Sequence, residues 1–263
     1  MKAYEVTEYP KSRLATFDIG IIANKKHFIT GLLEVDVTDA RSKIKEGIKS
    51  GRDISFISWF LKVLGDTIAE NKNAHALNWK RRKQIIFNDA DISIIFERRV
   101  NGAKVPLVSL IRRTNVKSLE EIYREMRGAS GKQIKNEGDY MLSENNTGKE
   151  ASIFYSLPQK IRLLIWKRLL RNPFVIKRNM GTAIVTNVAG AGKFPGWLIP
   201  KSVHNLCVGL GPAVRKPWVI KNDIVIRDIL HLTLMFNHDA IDGSPAARFA
   251  AKLIKNLEDA RGL

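Results

Sequence analysis

The stretch Leu232–Leu257 reads LTLMFNHDAIDGSPAARFAAKLIKNL and contains two strongly patterned elements joined by a polar turn. Large apolar residues stand at every second position up to Phe236, which predicts a strand with one buried face. From Ala246 onward apolar residues recur at helical spacing, which predicts a helix. Ser244 is predicted to cap this helix, with Pro245 at its first position.

The remainder of the chain also mixes helical and strand patterns. Helices are predicted to begin at Thr38, Asp53 and Ser118, and residues 128–150 are predicted to form a loop or short insertion. Five further strand patterns are present, and a hairpin is expected at Asn222-Asp223. These strand patterns cover residues 30–36, 90–96, 104–111, 182–186 and 203–209. The fold class is therefore α/β (α+β), and the absence of linker composition favours one domain over residues 1–263.

Composition excludes several classes of protein. The 263 residues are 44% hydrophobic and 27% charged, which argues against a largely disordered chain. No apolar run is long enough to span a bilayer, and residues 1–10 do not form a secretory signal. The single cysteine, Cys207, indicates a reducing compartment, and we expect a cytoplasmic protein. One cysteine and five scattered histidines do not supply ligand spacing, so no metal site is expected.

The charge balance favours anionic partners. Forty-four Lys and Arg residues against 26 Asp and Glu residues give a net charge of +18. Such a field suits nucleic acid, an acidic lipid surface or a phosphate-bearing small molecule, although a solvated basic surface has the same composition. Residues 156–180 form a basic amphipathic segment without any acid. This segment is either a core-packing helix with snorkelling cations or a helix that docks on a membrane or partner.

The polar turn after the strand contains a candidate catalytic group. His238 follows the buried strand directly, and Asp242-Gly243 comes four residues later. A histidine that titrates near neutrality can take a proton from a thiol or a hydroxyl group. A structural histidine followed by a plain Asp-Gly turn is the alternative interpretation.

The same stretch resembles the end of a known catalytic domain. Its His-x-x-x-Asp-Gly pattern is similar to that of the dihydrolipoamide acyltransferases of 2-oxo-acid dehydrogenase complexes and of chloramphenicol acetyltransferase. Weaker resemblances occur upstream in the family's order. They comprise residues 26–38, 54–69, 105–119 and 181–187. The resemblance implies the CoA-dependent acyltransferase fold, a mixed sheet with flanking helices, for nearly the whole chain.

The resemblance also implies roles for individual residues. His238 corresponds to the general base that deprotonates the attacking thiol or hydroxyl. Thr186 corresponds to the hydroxyl that hydrogen-bonds the oxyanion, and Asp242 to a structural acid that pairs with an arginine, for which Arg13 is the candidate. In the family, trimers place the histidine of one subunit opposite the hydroxyl of its neighbour. We therefore expect a homotrimer or a larger trimer-based assembly that uses CoA or acyl-CoA as substrate and needs no metal.

Some features depart from the family. Asp239 stands where the dehydrogenase-complex enzymes usually have arginine, and it either raises the pKa of the base or faces away. No linker or lipoyl segment is visible, so we expect no covalent lipoyl group and a thioester that arrives as acyl-CoA or on a carrier in trans. The leading hypothesis is a stand-alone acyltransferase. An inactive trimeric scaffold of the same fold is the main alternative, and nucleic-acid binding is expected least because no recognisable module is present.

Overall fold

The structure is a computed structural model. It describes residues 3–9, 13–100, 103–131, 153–190, 192 and 194–263, and it does not describe the side chains of residues 96–100, 103–107 and 129–131. The expected turn at residues 101–102 and most of the loop expected at 128–150 lie outside these ranges. The helix that begins near Ser118 continues to Gly131, three residues beyond its expected end at Gly128.

Helices and strands alternate through most of the described chain. The helices are α1 (Arg13–Ala23), α2 (Thr38–Lys49), α3 (Phe56–Glu70), α4 (Leu119–Gly131), α5 (Gln159–Leu169), α6 (Pro173–Met180) and α7 (Gly243–Glu258), with a 3-10 turn at Lys72–His75. The strands are β1 (Phe28–Asp36), β2 (Leu77–Trp79), β3 (Lys83–Ile85), β4 (Ile92–Val100), β5 (Ala103–Ile111), β6 (Ala183–Asn187), β7 (Leu206–Ile220) and β8 (Asp223–Asn237).

Six of the strands form one sheet in the order β1-β8-β7-β6-β4-β5. The strands β4, β6 and β7 run parallel to one another, and the remaining neighbours are antiparallel. The short strands β2 and β3 form a separate hairpin. The predicted mixed sheet with flanking helices is therefore confirmed. The prediction that residues 1–263 form one catalytic domain stays a prediction.

The main core lies between one face of the sheet and the helices α2, α3, α4 and α7. Alternate residues of β8 point into it, as the spacing of its leucines predicts. Trp59 and Phe60 of α3 are fully buried there, and Phe249 of α7 packs edge-on against Phe236 with ring centres 5.6 Å apart. This packing fixes β8 and α7 on either side of the turn that carries His238.

Helix beginnings differ from the sequence prediction at three places. Thr38 is the first residue of α2, and its hydroxyl bonds Asp36 instead of capping the helix. The cap of α3 is Ser55, two residues after the predicted Asp53, and it exchanges hydrogen bonds with Ser58. Helix α7 begins at Gly243, so neither Ser244 nor Pro245 has its predicted position. Proline is tolerated there because amide groups in a first turn lack helical partners.

The predicted basic segment 156–180 is two helices. The first helix, α5, ends at Leu169. Asn172 then caps α6 through its side-chain oxygen, and Pro173 occupies the first turn of α6. Trp166 and Arg162 are buried, and the guanidinium group of Arg162 binds the buried Asp18 of α1 in a bidentate pair at 2.7 and 3.0 Å. One side of the segment therefore packs on the protein, as the core-packing interpretation requires.

The hairpin of β7 and β8 is longer than expected. The sequence suggested short separate strands, but each strand has 15 residues, with a register shift between Leu210 and Ala213. The connecting turn is Lys221-Asn222, one residue earlier than predicted, and Lys221 adopts a positive φ of 55°. Residues 215–220 of β7 and 223–228 of β8 pair with no other strand of the described structure, so they form a projecting ribbon. Within the described residues, no helix has the length and apolarity to cross a membrane.

Candidate functional site

The candidate base lies in the turn between β8 and α7. His238 is exposed, and its backbone N–H donates a 2.7 Å hydrogen bond to the carbonyl oxygen of His27. The turn closes on Asn237, whose carbonyl oxygen accepts from the amide of Ala240. Since the backbone is held on both sides, the imidazole is presented to solvent from a fixed support.

Asn205 is the centre of the hydrogen-bond network beneath this turn. Its side-chain oxygen accepts from Nδ2 of Asn237 at 3.1 Å and from Nζ of Lys26 at 2.7 Å. Its side-chain nitrogen donates to the carbonyl oxygen of Ala76 at 2.8 Å. Its backbone oxygen also accepts from the amide of Asn237. The residue directly before His238 is thus held by both the backbone and the side chain of Asn205, which is itself buried.

Two charged groups flank the base. The carboxylate of Asp239 lies 3.0 Å from Nδ1 of His27, so it is turned toward that ring. Lys26 is mostly buried, and burial lowers its pKa to about 8, an effect that the nearby charge of Asp239 partly offsets. The sequence left open whether Asp239 faces the base or faces away, and its hydrogen-bond partner is His27.

The hairpin of β2 and β3 is attached to the same turn. The side-chain amide of Asn78 donates to the carbonyl oxygen of Asp239 at 3.1 Å, and that of Gln84 donates to the carbonyl oxygen of Ala240 at 2.8 Å. Backbone carbonyl groups in a turn otherwise face water, so these bonds fix its path. The small hairpin is therefore held against the turn that carries the candidate base.

Asp242 and Arg13 occupy separate positions in the described structure. Asp242 is exposed and precedes α7 as its N-cap residue, and its backbone oxygen accepts from the amide of Ala246. Arg13 is exposed at the start of α1. Among the described residues no ion pair joins Arg13 to Asp242. The position of Asp242 next to a helix N-terminus is itself favourable for a negative charge.

The candidate oxyanion hydroxyl lies on β6. Thr186 pairs with Ile95 on one side and with Gly209 on the other, and it shares a sheet face with Ile184. It is partly exposed, and no hydrogen bond to its hydroxyl is present among the described residues. A side chain at Gly209 would meet the carbonyl oxygen of Leu198 at 2.9 Å, so glycine there lets a backbone segment cross the sheet beside Thr186.

The register of the sheet separates Thr186 from His238 within one chain. Thr186 lies level with Gly209, which pairs with Thr233, five residues before His238. Five strand residues correspond to about 16 Å along β8, and two strand spacings add about 10 Å across the sheet. The two side chains therefore cannot reach a common atom from one protomer.

Three other titratable groups are fully or almost fully buried. Burial lowers the pKa of His75 and of His204 to about 4, and it raises the pKa of the Cys207 thiol to about 12. Nε2 of each histidine donates to a carbonyl oxygen, of Phe87 and of Met180 respectively, so both rings fit a neutral form. The described residues contain no group of three or more His, Cys, Asp and Glu side chains placed to hold a metal ion.

The sequence predicted His238 as the candidate base but did not predict the residues that support it. Asn205, Asn78, Gln84 and His27 lie far from His238 in the chain, and no local pattern marks them. Their role depends on long-range pairing that only the folded sheet reveals. The Lys26-His27 dipeptide before β1 was visible, but nothing local indicated that it meets the end of β8.

The sequence and the fold are similar to those of known acyltransferases. Residues 179–263 match the family model of 2-oxoacid dehydrogenases acyltransferase (catalytic domain). The last third of the chain is therefore similar to the catalytic domains of these acyltransferases. It is 24% identical over 242 residues to the acetyltransferase component of the Corynebacterium glutamicum pyruvate dehydrogenase complex, a match that covers 88% of this chain and 30% of that one. The matched regions span only 21% to 44% of the curated relatives, which are longer proteins.

Solved acyltransferase structures share the fold. The dihydrolipoamide acetyltransferase of Azotobacter vinelandii aligns with a TM-score of 0.70 and 18% identity, over 98% of this chain and 94% of that one. That structure belongs to an investigation of the catalytic roles of a serine, a histidine and an asparagine. The cubic core of a pyruvate dehydrogenase complex aligns with a TM-score of 0.65 and 17% identity, over 98% and 94% of the two chains. At this identity the likeness concerns the fold alone.

Proposed function

We propose that the protein is an acyltransferase that moves an acyl group between CoA, or a thiol carrier in trans, and an acceptor nucleophile. The observation that carries the proposal is the position of His238. It is an exposed imidazole at the end of the central hairpin of an acyltransferase fold, on a turn fixed by long-range hydrogen bonds. The acceptor and the acyl group stay open, because relatives carry the names of both acetyl- and succinyltransferases.

In the proposed reaction His238 acts as the general base. It takes the proton of the attacking thiol or hydroxyl, and the resulting anion adds to the thioester carbonyl carbon. The hydroxyl of Thr186 donates a hydrogen bond to the tetrahedral oxyanion, the interaction that contributes most to such transition states. Collapse breaks the carbon–sulfur bond and expels the donor thiolate, which takes the proton back from His238. No redox partner or metal is required by this balance.

Residue spacing supports these assignments. In the Azotobacter vinelandii enzyme, the serine precedes the histidine by as many residues as Thr186 precedes His238. The asparagine follows the histidine by as many residues as Asp242 follows His238. A threonine hydroxyl donates the same hydrogen bond as a serine hydroxyl. Asp242 at the N-terminus of α7 serves the proposal as a structural group that orients the turn.

The active site of the proposal is shared between protomers. Because Thr186 and His238 lie too far apart in one chain, the hydroxyl must come from a second copy. The projecting ribbon of β7 and β8 offers an interface, since Pro217, Val219, Ile224 and Ile226 form adjacent cross-strand pairs on one face. The last three are 66%, 76% and 62% exposed. Two-stranded ribbons are marginal alone, and a partner copy would cover this face. A homotrimer or a larger trimer-based assembly fits this arrangement.

We also propose that the outer side of α5 and α6 contacts an acidic membrane surface. Leu164 is 66% exposed and Phe174 is 55% exposed. The exposed basic residues of the same two helices and their junction are Lys160, Lys167, Arg168, Arg171 and Arg178. A groove of about 560 Å³ between the two helices combines apolar side chains with two arginines. It is lined by Ile165, Arg168, Leu169, Arg171, Asn172 and Val175. The buried Trp166 belongs to the opposite, packed side. The cytoplasmic location expected from the single cysteine stays a prediction.

Thioester exchange with purified protein tests the proposal. The wild-type protein is expected to transfer acyl groups from a panel of acyl-CoA donors to dihydrolipoamide or another thiol. His238→Ala is expected to lose about 100-fold to 10,000-fold of the turnover without loss of folding. Val116→Thr is the control, because Val116 is 56% exposed on a separate turn. A wild-type protein that is inactive with every donor, while assembled, would favour the inactive scaffold instead.

A further inference from the structure

We infer that the β2–β3 turn, Lys80-Arg81-Arg82-Lys83, binds the phosphate groups of the acyl carrier beside the candidate base. The inference rests on the proposed function for the identity of the ligand, a phosphate-bearing thiol of the CoA type. All four side chains are exposed. The sequence alone does not distinguish this run from other basic runs on protein surfaces. Its position in the fold, beside the turn that carries His238, does distinguish it.

The first argument is its attachment to the catalytic turn. Asn78 and Gln84 flank the basic run, and their side-chain amides bind the carbonyl oxygens of Asp239 and Ala240 at 3.1 and 2.8 Å. The cations therefore lie within a few residues of two side chains, those of Asn78 and Gln84, that are hydrogen-bonded to the backbone just after His238. A long pantetheine arm separates the thiol of CoA from its phosphates. The phosphates must therefore bind at some distance from the base, on a surface that stays in register with it.

The second argument is that the charges are uncompensated. Within the described parts of the chain, no ion pair joins any of the four cations to a carboxylate. Lys80 is the one with a defined neighbour, since its ammonium group lies 4.5 Å from the ring centre of Trp79. Adjacent like charges repel unless an anion lies between them, so the turn is arranged to receive one. Arginine in particular suits phosphate because its planar donors bind two oxygens at once.

The third argument is the backbone of the turn. Lys80 and Arg82 adopt positive φ angles of 52° and 66°. Glycine and asparagine are the residues that ordinarily occupy such positions in a tight hairpin. Two long cationic side chains in this conformation carry strain that a functional role accounts for. Trp79 packs edge-on against Phe174 of α6 with ring centres 6.3 Å apart, which anchors the base of the turn.

Direct binding of CoA to the intact protein tests the inference without any need for turnover. We expect Arg81→Gln/Lys83→Gln to raise the Kd for CoA by about tenfold, because two cations that face the phosphates are lost. These two residues are chosen because their φ angles are not positive, so that the substitutions leave the backbone of the turn unchanged. The effect should shrink at high salt. The control variant Lys167→Gln/Arg168→Gln removes the same charge from α5 and should leave the Kd unchanged. Thermal melting of both variants verifies that they are folded.

Pantetheine, which lacks the phosphates, supplies the decisive comparison. Wild type and the Arg81/Lys83 variant should handle an acyl-pantetheine donor equally, whereas the KM for acyl-CoA should rise in the variant with little change in kcat. Equal CoA affinity in wild type and variant would overturn the inference, as would an equal loss with pantetheine. If short duplex DNA, and not CoA, loses affinity in the variant, the turn is a nucleic-acid contact and the inference is wrong. CoA binding through the turn in a protein without transferase activity would contradict only the proposed function.

Discussion

The side-chain oxygen of Asn205 accepts a 3.1 Å hydrogen bond from Asn237, the residue directly before His238. Asn205 precedes β7 and Asn237 ends β8, so the pair ties together the two strands at the point where the turn that carries His238 begins. The same oxygen accepts from Lys26, which precedes β1. The side-chain amide of Asn205 thus holds three segments of the chain together, namely those before β1, before β7 and at the end of β8.

We predict that Asn205→Ala lowers kcat more than it changes KM. Removal of the amide leaves Nδ2 of Asn237 and Nζ of Lys26 without their buried acceptor, which costs about 1–3 kcal/mol of folding free energy for each neutral group left unpaired. The base then loses its fixed support. Asn205→Asp keeps an acceptor for Lys26 and Asn237, and it should retain more activity than Asn205→Ala. Steady-state kinetics and denaturant unfolding of both variants check this, and equal kcat values for the two variants would contradict it.

Stability is predicted to fall as the pH drops from about 6.5 to about 4. His75 and His204 are buried as neutral rings with pKa values of about 4. The unfolded chain takes up their protons near pH 6.5 and the folded chain does not, so acid favours unfolding over that window. Each histidine contributes about 3 kcal/mol across the full window.

Urea unfolding at pH 7 and at pH 5 measures the effect. The double variant His75→Gln/His204→Gln should show a much smaller difference between the two pH values, whereas His27→Ala, which removes an exposed ring, should behave as wild type. A wild-type protein with the same free energy of unfolding at both pH values would contradict the burial of these two rings.

The ribbon of β7 and β8 is predicted to hold the assembly together. Val219→Thr/Ile224→Thr/Ile226→Thr keeps residues that favour strands but makes the exposed face polar. We expect the protein to stay folded, to dissociate toward smaller species and to lose activity. Val116→Thr is the control, because Val116 is 56% exposed on a separate turn. Analytical ultracentrifugation of both variants measures the mass of the assembly. An unchanged mass for the triple variant would contradict an interface on the ribbon.

Binding to acidic vesicles is predicted for the outer side of α5 and α6. Each Lys or Arg near an anionic bilayer contributes about 1 kcal/mol, and the copies in an assembly add by avidity. Co-sedimentation with vesicles of increasing anionic lipid content should be strong at low salt and weak at high salt. It should be lost when Lys167, Arg168 and Arg171 are replaced by glutamine, and kept in Arg81→Gln/Lys83→Gln. Absence of binding at low salt would leave the segment with its packing role only.

The sequence predicted those parts of the fold that depend on local pattern. The alternation that ends at Phe236 and the helical spacing that follows Ala246 located the end of β8 and the whole of α7 within a few residues. The break between α5 and α6 was not predicted, although Asn172-Pro173 combines a capping residue with a proline in the first turn. The full length of the β7–β8 hairpin was not predicted, because Gly209, Gly211 and Pro217 interrupt the apolar pattern of β7.

Long-range relationships could not be derived from one sequence. The pairing of Asp239 with His27 joins residues that lie 212 positions apart. The hydrogen bonds of Asn78 and Gln84 to the turn that carries His238 depend on how a small hairpin packs, and no periodicity encodes that. The distance between Thr186 and His238 follows from sheet register, which became known only with the strand order.

Complementation between two inactive variants tests the shared site most directly. His238→Ala and Thr186→Ala are each expected to be nearly inactive in thioester exchange, because one lacks the base and the other the oxyanion donor. In an equal mixture with subunit exchange, about a quarter of the sites should contain both groups, since each site is built from two chains of a cyclic assembly. The account predicts partial recovery of activity in the mixture and none in either variant alone. No recovery, with exchange demonstrated by labelled subunits, would contradict it.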